Sequence, residues 1–165
     1  MVDIKKLKEL VDTELNNLER LSKEMKEFLS GSKEEKSTIE IRAAGSILHD
    51  FYCGIEKIFE RIATVMDNHV PFGMNWHTDL LLQMGKTIEG VRDRVISEKL
   101  IKNLKEFLRF RHLFRRLYGF ELKWDRIKPL CAELEDVLTN FKKEIEGFFK
   151  EDKSDSELSD DSLTQ

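Results

Sequence analysis

Apolar residues recur every three or four positions along most of this chain, and that spacing constrains the fold more than any other feature. The first segment of this kind covers residues 2–29, where the spaced residues are Ile4, Leu7, Val11, Leu18, Leu21, Met25 and Phe28. At 3.6 residues per turn these side chains form one apolar stripe along a helix. Ser30-Gly31-Ser32 interrupts the pattern, and a glycine commonly follows the last turn of a helix.

A second segment with helical spacing begins near Lys33 or Glu34 and continues to about His69. Its apolar residues cover a wide arc, which indicates contact with more than one neighbouring helix. The residues of this arc are Ile47, Leu48, Phe51, Ile55, Ile58, Phe59, Ile62 and Met66. Gly45 and Gly54 lie in the same segment, where they allow either the close approach of another helix or a mild bend.

The middle of the chain predicts a short helix followed by a long one. Pro71-Phe72-Gly73 ends the second segment, and residues 76–85 have the pattern of a short helix. The pattern of residues 86–96 is too weak to assign. Ser97 is a suitable N-cap for the next helix, because its hydroxyl can accept a hydrogen bond from a free backbone N–H. That helix is expected to continue to Gly119, a residue type typical of a helix C-terminus.

A last helix begins near Trp124 or Asp125, with Pro129 expected in its opening turn, where proline removes no helical hydrogen bond. Four long amphipathic helices and one short helix predict an all-α fold, an antiparallel helical bundle. Eight glycines and two prolines offer few turns for an all-β fold. Burial of the apolar stripes against one another is expected to hold the bundle together.

Residues 1–149 are expected to form a single helical bundle domain, and residues 150–165 an acidic tail. The tail contains six acidic residues and two lysines, lacks core residues, and is expected to be disordered. The acidic tail alone accounts for the formal net charge of −4. The rest of the chain is therefore neutral as a whole, although individual segments of it can still carry a large charge.

The helix predicted after Ser97 is strongly basic. Its residues 99–116 contain seven Lys or Arg residues and one acid. Such a local excess of positive charge attracts phosphate groups. One side of this helix gathers the basic residues Lys105, Arg109, His112 and Arg116. For Lys105 and Arg109 a solvated basic face is the simplest interpretation.

Arg111 is different, because it falls on the apolar face of the basic helix, between Phe107 and Phe114. A guanidinium keeps its proton, so its burial without a partner is very costly. The side chain must therefore meet an acid, a group of carbonyls, a wet cleft or a second subunit. Glu56 and Glu60 are candidate partners. A structural ion pair and a phosphate-binding arginine in a cleft both remain open.

The run Arg111-His112-Leu113-Phe114-Arg115-Arg116-Leu117-Tyr118 resembles the R-x4-H-x-Y motif of HepT-type toxins, which belong to the HEPN superfamily of helical ribonucleases. Residues 109–122 and residues 52–63 are also similar to a HepT-like branch of that superfamily. The similarity covers about residues 40 to 130. The short motif is weak by itself, and the two blocks in the same order make it more specific.

The resemblance implies a HEPN-like bundle that forms a homodimer, with the motif helices of two subunits lining a cleft in which RNA is cleaved without a metal. It also implies a partner, a nucleotidyltransferase antitoxin, which adds AMP to the motif tyrosine. By this resemblance Arg111 matches the motif arginine and Tyr118 the modified tyrosine. Arg109, Arg115 and Lys105 would add sequence-independent contacts to RNA phosphates.

The sequence departs from the motif at one position, where Arg116 replaces the histidine. Histidine exchanges a proton near neutral pH and suits transfer from a ribose 2′-hydroxyl, whereas arginine can only stabilise phosphate charge. His112, about one turn earlier, is the candidate for that proton transfer. We thus assign Arg111, His112 and Arg116 as candidate catalytic residues. The alternatives are a catalytically inactive HEPN-like binding module that serves a nucleotidyltransferase or nucleic acid, and a structural helical adaptor.

Other function classes find little support. His49 and Cys53 stand four residues apart but no second pair follows, so we expect no metal. No phosphate-binding glycine loop occurs, and we expect no cofactor. No apolar run reaches the roughly 18–20 residues that span a bilayer, so no membrane partner is expected. Two isolated cysteines, Cys53 and Cys131, are typical of a reducing cytoplasm.

Overall fold

The computed structural model describes residues 3–31 and 34–160, and within them the all-α prediction is confirmed. Five α-helices follow one another and pack as a bundle: α1 Ile4–Ser30, α2 Thr38–Ile62, α3 Trp76–Met84, α4 Glu98–Phe114 and α5 Trp124–Asp160. In this part of the chain no helix is both long enough and apolar enough to cross a membrane.

Helix α2 begins later than the sequence predicted, because Ser37 caps it. The Ser37 hydroxyl accepts a hydrogen bond from the Glu40 N–H at 3.2 Å, and the Glu40 carboxylate accepts one from the Ser37 N–H at 3.4 Å. This reciprocal pair satisfies two backbone donors at the first turn. The start near Lys33 or Glu34 was therefore wrong by about a turn. At its other end α2 continues into a π-helical turn, Ala63–Asp67.

Helix α4 is shorter than predicted and ends at Phe114 rather than near Gly119. The chain leaves the helix and then forms a 3-10 turn, Gly119–Glu121. This departure brings Leu122 into the core, where it lies next to Gly45 of α2. At the other end the Ser97 hydroxyl accepts from the Leu100 N–H at 3.2 Å, which confirms the predicted cap.

Helix α5 extends beyond the range assigned to the bundle domain. The helical backbone continues to Asp160 and so includes residues 150–160 of the predicted acidic tail. Residues 161–165 of that tail lie outside the described residues. Disorder of the tail and the domain boundary at residue 149 stay predictions. Pro129 lies inside α5, in its second turn rather than its first, which corrects the expected position.

Helix α2 lies at the centre of the bundle and contacts each of the four other α-helices. These contacts are what the width of its apolar arc predicted, and the arc is buried except at Ile47 and Met66, which are half-buried. Phe51 packs on Phe107 of α4, with ring centroids 5.2 Å apart, and Phe59 packs on Phe141 of α5 at 5.7 Å. Removal of the whole apolar core from water, to which these aromatic pairs belong, is the main force that joins the helices.

The glycines of α2 serve close packing. A Cβ atom added at Gly54 would lie 2.6 Å from Leu18 of α1, and one added at Gly45 would lie 3.0 Å from Phe114. Both distances are shorter than van der Waals contact, so the neighbouring helices approach α2 where a side chain is missing. The close-approach interpretation therefore holds at both positions.

The connector after α3, which the sequence pattern left unassigned, is organised by Arg92. Its guanidinium donates to both Asp67 carboxylate oxygens, at 2.6 and 2.7 Å, and also to the carbonyls of Lys86, Asp93 and Gln83. The side chains of Arg92 and Asp67 are 0% and 1% exposed. This buried pair joins the end of the π-helical turn to the C-terminus of α3, and so holds α3 against the bundle.

Candidate functional site

Arg111 is buried on the inner side of α4, one turn after Phe107, and is 8% exposed. Helical geometry accounts for this position, since Leu104, Phe107 and Phe110 bury the same side of α4 in the core. A buried guanidinium needs opposite charge and hydrogen-bond partners close by. Two other helices supply them, α2 with Glu56 and α3 with His77.

Glu56 is the acid that faces Arg111. Its Oε1 lies 3.9 Å from Nη2 of Arg111, and the Glu56 side chain is 7% exposed. Of the two carboxylates that the sequence offered as partners, the structure thus brings Glu56 into contact. Burial raises the pKa of Glu56, and the positive charge of Arg111 opposes that rise. Burial also raises the pKa of Glu60, which stands one turn further along α2.

His77 contacts both Glu56 and Arg111. Its Nδ1 is 2.7 Å from Oε2 of Glu56, and its Nε2 is 3.4 Å from Nη1 of Arg111. Burial, reinforced by the positive charges of Arg111 and Arg115, lowers the pKa of His77 to about 4. The imidazole is therefore neutral at pH 7. The only tautomer that suits both neighbours donates from Nδ1–H to the Glu56 carboxylate and accepts at Nε2 from Arg111.

Two aromatic side chains hold the His77 ring in place. The Trp76 ring lies over it with centroids 3.7 Å apart, and the His112 ring meets it edge to face at 5.5 Å. Burial lowers the pKa of His112 too, helped by His77, Arg111 and Arg116. His112 is therefore a neutral, half-buried proton acceptor beside Arg111.

The cluster leaves two polar groups without a hydrogen-bond partner within the described residues, the Tyr52 hydroxyl and the Nε–H of Arg111. Both are buried. Burial and the Glu56 charge raise the pKa of Tyr52, so its hydroxyl keeps its proton. Buried polar atoms without a partner are rare in folded proteins, and groups with shifted pKa values cluster at functional sites.

A family model described as "HepT-like protein" matches residues 43–151, about two thirds of the chain. The chain belongs to the HepT-like family. This confirms the resemblance drawn from residues 52–63 and 109–122 and supports a link to HEPN proteins of toxin–antitoxin systems. Neither the curated proteins nor the solved structures gave a match. The matched range contains Glu56, His77 and Arg111, so the whole cluster lies inside the family's domain.

In this HepT-like chain the second half of the motif lies beyond the helix. Arg116 stands in the turn after α4, where its N–H bonds to the Leu113 carbonyl at 3.0 Å. Tyr118 is 71% exposed and stacks parallel to Phe120 with ring centroids 5.3 Å apart. Tyr118 lies beyond the end of α4, so the expectation that the helix continues to Gly119 was wrong at this residue too.

The three residues predicted to contact RNA phosphates lie in different surroundings. Arg109 is exposed and donates to Glu106 at 2.7 Å, as on a solvated basic face. Arg115 is exposed just after α4, on the side from which its charge reaches His77 and Glu56. Lys105 is half-buried. Of these three, Arg115 is the one whose charge is coupled to the cluster.

The sequence missed His77 and Tyr52 as site residues. Tyr52 stands in the matched block of α2, one turn before Glu56, and a search for polar residues at that spacing would have found it. His77 had no signal beyond its residue type, since its partners are 21 and 34 positions away. Within the described residues no group of three or more His, Cys, Asp or Glu side chains could hold a metal ion.

Proposed function

We propose that this HepT-like protein is a HEPN-type RNA endonuclease, the toxin of a toxin–antitoxin pair. The observation that carries the proposal is the position of Arg111, buried beside a neutral histidine, His112, with two further arginines, Arg115 and Arg116, exposed just after α4. A neutral histidine can accept the proton of a ribose 2′-hydroxyl, and an arginine can stabilise the negative charge of a phosphate. Family membership gives the toxin–antitoxin context.

In the proposed reaction His112 accepts the proton of the ribose 2′-hydroxyl. The 2′-oxygen forms a bond to phosphorus, the bond to the 5′-oxygen breaks, and that oxygen takes up a proton from water. The products are a 2′,3′-cyclic phosphate and a 5′-hydroxyl. Arg111 binds the scissile phosphate, and Arg116 stabilises the added negative charge as a charge-assisted donor.

The proposed partners follow from the surface around the motif. Leu113, Tyr118 and Phe120 are exposed near the end of α4, where the family resemblance expects a second copy of the chain and a cleft between the two motif helices. An exposed Tyr118 hydroxyl is accessible to a nucleotidyltransferase antitoxin that would transfer AMP to it. Arg109, Arg115 and Lys105 add phosphate contacts, and the pair is expected to act in the cytoplasm.

Purified protein incubated with RNA tests the proposal. We expect wild type to cut RNA, His112→Ala to lose about 10²–10⁴-fold in rate, as general-base removal does, and Arg111→Gln to lose activity as well. Arg20→Ala, an exposed arginine on α1 outside the family match, is the matched control. Circular dichroism must show that each variant is folded. Undiminished cleavage by folded Arg111→Gln would refute the catalytic assignment.

A catalytically inactive binding module is the second candidate, favoured by the arginine at position 116. Arg116→His separates the two candidates. If the scaffold is a nuclease, the restored imidazole raises the cleavage rate. If wild type and Arg116→His are equally inactive while both bind a nucleotidyltransferase or RNA, the binding module is the better description.

A further inference from the structure

We propose that His77 is a positioning residue: it holds the Glu56 carboxylate by one oxygen and keeps it from pairing directly with Arg111, so that the guanidinium stays available to an RNA phosphate. The inference rests on the proposed function, since it assumes that Arg111 meets phosphate. Neither Glu56 nor His77 belongs to the motif on α4; the first lies on α2 and the second on α3.

The geometry of the carboxylate is the first step. A carboxylate that neutralises an arginine commonly accepts two parallel hydrogen bonds from it. Here Oε2 of Glu56 accepts from His77 at 2.7 Å, and Oε1 lies 3.9 Å from Arg111, beyond hydrogen-bond length. Glu56 therefore offsets the charge of the guanidinium without occupying its donors.

The second step concerns His77. Its Nδ1 contacts the Glu56 carboxylate and its Nε2 the guanidinium, and its one bond with Arg111 is long, 3.4 Å. Trp76 and His112 hold the ring from two further sides. Because Glu56 accepts the Nδ1–H of His77, Nε2 carries a lone pair and can only accept. His77 thus holds Glu56 by its Oε2 oxygen and makes only a single weak bond with Arg111.

The third step is the hydrogen-bond inventory of Arg111. A guanidinium has five N–H donors. In the described residues Nη1 has the bond with His77, Nη2 has only the distant carboxylate, and Nε has no partner. A purely structural ion pair would use more of these donors. The arrangement leaves the arginine charged, fixed in place and poorly paired, as a phosphate-binding arginine should be.

Replacement of His77 tests the inference. His77→Phe keeps a ring of similar size and removes both nitrogens, so Glu56 is released to pair with Arg111 directly. The probe is single-stranded RNA with 2′-O-methyl groups, which binds but is not cut, and affinity is measured by fluorescence anisotropy over a range of salt concentrations. We expect about tenfold weaker binding, and a salt slope smaller by about 0.7, the value of one phosphate contact on a single strand.

The double variant His77→Phe/Glu56→Gln is the decisive comparison. A neutral amide cannot compete with phosphate for the guanidinium as a carboxylate does, so affinity and salt slope should return most of the way to wild type. A merely structural role of His77 predicts no rescue, because the second change would only add damage. His77→Phe with unchanged affinity, or a double variant as weak as the single one, would overturn the inference.

These outcomes are separate from those of the cleavage assay. If wild type fails to cut RNA but the variants show the expected loss and rescue of binding, the nuclease proposal fails and the positioning role stands. If wild type cuts RNA but all three proteins bind the uncleavable strand equally, the positioning role fails and the nuclease proposal stands.

Discussion

Replacement of Arg92 should destabilise the protein more than any change at an exposed arginine. The Arg92 and Asp67 side chains are 0% and 1% exposed, and the guanidinium makes five hydrogen bonds, two to Asp67 and three to backbone carbonyls. In Arg92→Met the stem of the side chain is retained, and the Asp67 carboxylate is left in the interior without its counter-charge.

The magnitude follows from the pair's burial. Loss of one partner of a buried ion pair costs about 3–5 kcal/mol. Asp67 keeps one donor, Nε2 of Gln83 at 2.7 Å, so we expect the lower end, about 3 kcal/mol. For a chain of this size each kcal/mol lowers the melting temperature by about 2–4 °C. Arg92→Met should therefore melt roughly 6–12 °C below wild type.

Thermal and urea unfolding followed by circular dichroism would measure the loss. Arg94→Met is the matched control, since Arg94 is exposed on the same connector, and it should stay within about 0.5 kcal/mol of wild type. The double variant Arg92→Met/Asp67→Leu should recover part of the loss, because no charge is then stranded. If Arg92→Met loses less than about 1 kcal/mol, the pair does not anchor α3 as argued.

Three further predictions follow from single contacts. Burial lowers the pKa of His77 to about 4, whereas a histidine in the unfolded chain titrates near 6.5, so the unfolded state takes up the proton first as pH falls. From pH 7 to 5, wild type should therefore lose about 1–2 kcal/mol of unfolding free energy relative to His77→Gln. Glutamine is chosen because its amide can still donate a hydrogen bond to Glu56, which keeps the opposite contribution of that carboxylate similar in the two proteins. Parallel pH profiles would contradict the prediction. Gly54→Ala places a Cβ 2.6 Å from Leu18 and should cost about 1–3 kcal/mol in urea unfolding despite the better helix propensity of alanine, with a stabilised variant counting against the close packing. Ser97→Ala removes the hydroxyl that caps α4 and should cost about 1 kcal/mol in thermal unfolding; no measurable change would show that the cap contributes nothing.

Local patterns predicted most of the helices. The stripes of α1, α2 and α5 stand at helical spacing in the chain itself, and the Ser97 cap depends on residues three positions apart. Prediction from local sequence patterns was wrong at the end of α4. Nothing near Phe114 shows that the chain must turn away there, because the reason is the distant pocket on α2 that takes Leu122 next to Gly45.

The candidate site, too, was predictable from the sequence only in part. Helical periodicity placed Arg111 on an apolar face, and the permanent charge of a guanidinium then required a partner for it. Which partner it has was decided by how α2 and α3 pack on α4, and that packing selected Glu56 and brought in His77, which no spacing in the chain connects to Arg111.

The sequence by itself thus determined the all-α class, the buried stripes and the need for a counter-charge at position 111, because each depends on residues within a few turns of one another. Only the tertiary structure decided that His77 contacts both Glu56 and Arg111 and that Tyr118 is exposed. Those features are distances of a few ångströms between elements far apart in the chain, and such distances follow from the packing of many side chains at once.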